Sequence, residues 1–132
     1  MLKFFILISF LQFIPYPSYG QSREKIEAVS SAIKRLDGQI VTHIFLLEAC
    51  EDAMHGDSRP LWSLHRTYAV SSLELYIQDG NASLLRFEDI WDKAKQSRAK
   101  PPYELDFCLA VLNQMMHETD VAKTKYLSVL EN

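Results

Sequence analysis

The sequence predicts an all-α fold: a compact up-down bundle of about five helices with one disulfide, preceded by a cleaved signal peptide. Three observations carry this reading. No stretch alternates apolar and polar residues at period two for the length of a strand, whereas apolar residues recur at three and four along most of the chain. Breakers at Asp37-Gly38, His55 to Ser58, Asp79-Gly80 and Pro101-Pro102 divide that pattern into segments of helical length. The chain has two cysteines, Cys50 and Cys108.

The first twenty residues read as a secretory leader. Met1-Leu2-Lys3 is a short positive start, Phe4 to Ile14 is an almost unbroken apolar run, and Ser18-Tyr19-Gly20 places small residues at minus three and minus one of a cut before Gln21. The run is too short for a comfortable membrane span, so no stable membrane anchor is expected. Residues 21–132 then form a single helical domain, long enough to bury a core of its own. Without Lys3 this domain carries 13 Lys and Arg against 17 Asp and Glu. That mild acidity argues against nucleic acid and anionic membrane as partners. In an oxidising compartment, periplasmic or extracellular, Cys50 and Cys108 are expected to pair. Closing so long a loop is worth on the order of 4 kcal/mol in the chain-entropy model.

The first predicted helix runs from about Ser22 to Leu36, with Ile26, Val29, Ile33 and Leu36 on one stripe. Asp37-Gly38 ends it, glycine supplying a left-handed cap. The second runs from about Gln39 to Met54. Its apolar arc (Ile40, Val41, Ile44, Phe45, Leu47, Cys50, Met54) is wide enough for a central helix contacted on several sides. The third starts with Ser58 as N-cap and Pro60 in the first turn, and presents Trp62, His65, Ala69, Leu73 and Tyr76. The fourth, from Asn81 or Ser83 to about Gln96, turns Leu84, Phe87, Trp91 and Ala94 inward. The fifth runs from about Pro102 to Leu130 with Leu105, Cys108, Leu112, Met115, Thr119, Ala122, Tyr126 and Val129 in register, continuing through the polar stretch His117 to Asp120. Up-down alternation brings the ends of the second and fourth helices to the pole where the fifth begins. Cys50 and Cys108 meet there, as a disulfide requires.

Functional signals are sparse. Glu48, Glu51, Asp52 and His55 gather at the end of the second helix, where the helix dipole favours cations instead. Spacings of three and four let them share a side, and they are the candidate partner-binding residues. Lys93, Lys95, Arg98 and Lys100 fall at the same pole and offer internal pairing as the plainer alternative. One histidine among three acids is a poor metal set, so no metal site is assigned. His43, His65 and His117 are scattered, and His65 on its apolar stripe reads as a core or boundary histidine. Met54, Met115, Met116 and His117 could be imagined around a haem, but Cys-x-x-Cys-His is absent and methionine fills cores readily, so no cofactor is expected. No Gly-x-Ser-x-Gly, His-Glu-x-x-His or phosphate-binding glycine loop occurs, and no catalytic residue is named. The expected function is therefore non-catalytic binding of another protein, as an inhibitor, immunity-type factor or adaptor. The alternatives are a carrier of metal, haem or an apolar ligand, and a small exported enzyme without a recognisable motif. Asn81-Ala82-Ser83 is a glycosylation sequon in a predicted turn.

Overall fold

The computed structural model describes residues 15–98 and 103–131, with side-chain surroundings from residue 23 onward. Within them the chain is all-helical, with four helices rather than five: α1 (Pro15–Cys50), α2 (Arg59–Gln78), α3 (Leu84–Gln96) and α4 (Leu105–Glu131). A single 3-10 turn, Gly56–Ser58, precedes α2. The apolar run of the proposed leader lies outside the described residues, and residues 15–20 belong to the first turns of α1.

The missing break is at Asp37-Gly38. Gly38 stays helical, the positive-φ glycines being Gly56 and Gly80. Packing explains why. Ala32, Leu36, Ile40 and Ile44 form an unbroken buried row at intervals of four, straight through the supposed stop. Two residues with poor helix propensity are overridden when the residues on both sides of them bury the same face. Local bonds agree: the Thr42 hydroxyl donates to the Gly38 carbonyl (2.7 Å), and Arg86 at the start of α3 donates to both oxygens of Asp37 (2.5 and 3.0 Å).

The wide apolar arc of 40–54 has the role its width implies. α1 packs against α2, α3 and α4, most extensively against α4. Two apolar clusters follow. The distal one joins Leu36, Ile40 and Ile44 of α1 to Leu73, Tyr76, Ile90, Ala94, Ala122, Tyr126 and Val129. The other gathers Leu47, Cys50 and Met54 with Trp62, Ala69, Cys108 and Leu112. Cys50 at the end of α1 and Cys108 in the first turn of α4 form a disulfide, with Cα atoms 5.7 Å apart. Fusing the first two predicted helices leaves this topology unchanged, because direction is counted back from Cys50.

The helix ends differ in detail from their expected caps. Ser83 caps α3 as predicted, its hydroxyl accepting from the Arg86 N–H (3.2 Å). Ser58 occupies the cap position of α2, but its hydroxyl donates to the His55 carbonyl (3.0 Å) and closes the preceding turn. α4 continues through His117 to Asp120. Leu84 and Leu105, expected inside, are exposed. No helix among the described residues is long and apolar enough to cross a membrane.

Candidate functional site at the disulfide pole

The acidic end of α1 is an internally paired network. Glu48 is almost fully buried, at 2 % exposure. It accepts from Arg98, just beyond α3, at Nε (3.1 Å) and Nη2 (2.5 Å). Glu51 accepts from the same Nη2 (2.6 Å), and Asp52 lies 3.8 Å from Nη1. Arg59, at the start of α2, approaches Glu51 at 3.7 Å and stacks its guanidinium over the Trp62 ring at 4.2 Å. The hydrogen bond to Glu48 raises the Arg98 pKa further, so the guanidinium is a permanent counter-charge. A planar donor fork satisfies several carboxylate oxygens at once, which is how three acids are tolerated at a helix C-terminus.

The four candidate residues therefore divide. Glu48, Glu51 and Asp52 are brought together by Arg98. His55 stands apart, exposed in the turn between α1 and α2 and outside that ion network. Beside the network, His55, Asp57, Ser58, Leu61, Leu105 and Leu109 line a surface cleft of about 480 Å³. The start of α4 adds an exposed aromatic patch, Tyr103 and Phe107 with ring centroids 5.0 Å apart, while Leu105 is exposed at the cleft. Asp57, Glu104 and Asp106 rim this patch and make no ion pair among the described residues. Phe107 escapes sequence reasoning because it lies off the 105–108–112 stripe of α4. That offset was itself the signal that its ring points away from the core.

A second polar feature lies inside the molecule. His43 of α1 and His65 of α2 are buried, their rings edge to face at 5.8 Å. Neither nitrogen of His43 has a hydrogen-bond partner, nor has Nδ1 of His65 or the buried hydroxyl of Thr119 on α4. Burial, with a smaller contribution from the neighbouring His65, pushes the His43 pKa down to about 4. Burial also lowers that of His65, against a hydrogen bond with Asn113 that raises it. His65 is thus the core histidine its stripe predicts, but not a fully satisfied one. Sequence reasoning missed His43 because its apolar arc already looked complete.

No group of three or more His, Cys, Asp or Glu side chains among the described residues is placed to hold a metal ion. No family model, curated protein or solved structure matches this chain.

Proposed function

We propose that this is a small exported helical protein that acts by binding another protein through its disulfide pole, without catalysis, in an inhibitory, immunity-type or adaptor role. The observation that carries the reading is the exposed Tyr103–Phe107 aromatic pair at the start of α4, with the cleft of Leu61, Leu105 and Leu109 at the same pole. Aromatic side chains give large contact area at low entropic cost, and contiguous apolar surface on a small domain marks contact sites. The surface is pre-organised on both flanks. The disulfide fixes the start of α4 against the end of α1, and Arg98 fixes the last turn of α1 through Glu48 and Glu51. In this reading Asp52 and His55 touch the partner, while Glu48 and Glu51 position the turn. Asp57, Glu104 and Asp106 give the rim a negative cast, so the partner presents an apolar segment flanked by Lys or Arg.

The test is affinity capture from the native exported fraction, using the oxidised protein as bait, repeated with Phe107→Ser and with Leu85→Ser at the opposite end. A saturable partner that Phe107→Ser weakens by at least tenfold, and Leu85→Ser leaves alone, supports the proposal. A partner held equally by Phe107→Ser overturns the assignment to this pole. No saturable partner at all overturns the protein-binding reading.

A further inference from the structure

We infer that the His43–His65 pair is an acid-released latch between α2 and the disulfide-linked pair α1–α4. Two buried imidazoles that lack partners for three of their four nitrogens are at home in this packing only when neutral. From α2, His43 meets His65 and the Tyr68 ring, 6.1 Å away. From α4, Asn113 reaches His65, while Asp120 accepts from the Tyr68 hydroxyl (3.2 Å) and Lys123 lies 5.6 Å from the Tyr68 ring. Among the described residues no carboxylate pairs with either imidazole, and the charge His43 feels is that of His65, of like sign. Protonating one ring therefore opposes protonating the other, and both need water.

The route to water is set by covalent structure. α1 and α4 are joined through Cys50 and Cys108. α2, which carries His65, is attached only through the turns at its two ends, so it can part from the α1–α4 pair with the disulfide intact. The Gly56–Ser58 turn and Leu61, which line the pole cleft, travel with it.

The direction in pH is fixed by the sign of the shift. The folded state holds His43 at about 4 against 6.5 in an unfolded chain, so it binds fewer protons in between. The closed form keeps its full advantage above 6.5 and loses it as pH falls towards 4. His43 alone weakens the closed-to-open ratio by roughly 80-fold across that window, and His65 adds in the same direction. Ordinary carboxylates titrate at the bottom of this range or below it.

Trp62 reports the seam, because its indole N–H donates to the Leu47 carbonyl across α1 and α2 (2.8 Å). The experiment follows Trp62 emission and far-UV circular dichroism from pH 7.5 to 4.5 in the full disulfide-bonded chain carrying Trp91→Phe. The expected result is a red shift of Trp62 with most helicity retained, abolished in the His43→Leu, His65→Leu double variant. An unchanged Trp62 signal down to pH 4.5, or the same transition in the double variant, overturns the latch. If that variant does not fold, imidazole proton resonances of the unsubstituted chain decide. Protonation of His43 and His65 in step with Trp62 supports the latch, and their protonation near 6.5 with Trp62 unmoved refutes it.

Discussion

The disulfide pole and the distal end of the bundle bury comparable helix faces by different means. At the distal end eleven buried residues from all four helices interlock around Leu36, Ile40 and Tyr126. Polar groups there sit at the edge: the Tyr126 hydroxyl donates to Asp79 and accepts from the Asn81 side chain. At the pole the apolar cluster is smaller, seven residues including both cysteines, and a carboxylate is buried beside it. Its stability comes from a covalent link and from Arg98 as much as from apolar area. The difference teaches where this chain spends apolar surface. Both ends leave aliphatic side chains exposed, Ile26, Leu84 and Leu85 at the distal end and Leu105 at the pole, but the large exposed aromatics among the described residues, Tyr103 and Phe107, are at the pole.

Breaking the covalent link gives the largest expected effect. Cys50→Ser with Cys108→Ser lowers unfolding free energy by about 4 kcal/mol, the entropy of closing a loop this long. Urea denaturation of the oxidised wild type against the double variant measures it. A loss below about 1 kcal/mol would mean that side-chain packing alone holds the pole, and the contrast with the distal end would fail.

Arg98→Met tests the second fastening. It leaves Glu48 buried with its donors removed, at a cost of about 2 kcal/mol. Adding Glu48→Met recovers most of that loss, because removing both members of a buried ion pair is far less harmful than removing one. Thermal or urea unfolding of the three variants closes the cycle. If the double variant is no more stable than Arg98→Met, the pair is not the fastening it resembles.

How much of this was legible beforehand follows the same division. The inward stripe of α2 is legible in the sequence, since Trp62, His65, Ala69, Leu73 and Tyr76 repeat at three and four and are all buried, while the buried Ser72 falls outside that pattern. The pairing of Cys50 with Cys108 was legible because helix direction is robust to errors in helix count. The merged α1 is written in the row Ala32, Leu36, Ile40, Ile44, whose periodicity runs through the local stop signal Asp37-Gly38 and overrides it. At the pole, sequence placed cations and acids together but could not choose Arg98 among four. That choice depends on reach: Arg98 follows the last residue of α3 closely enough to face Glu48 across the bundle. The unpartnered His43 was invisible for a different reason, since hydrogen-bond satisfaction is a property of three-dimensional neighbours.

The smallest effect decides the largest misreading. In a continuous α1, Gly38 is a helix-interior glycine, and an added Cβ meets nothing within 4 Å. Gly38→Ala is then stabilising by about 0.5–1 kcal/mol, through helix propensity and a less flexible unfolded chain. Gly80 provides the opposite case. It follows α2 with φ 78°, its N–H bonded to the Ile77 carbonyl (2.9 Å), and an added Cβ also meets open space there. Space is not what limits that site; backbone conformation is. Gly80→Ala therefore costs about 1 kcal/mol. Measured by urea midpoint on the same background, the two substitutions must have opposite signs. Equal destabilisation would restore a left-handed stop at Gly38, divide α1 in two, and return the bundle to five helices.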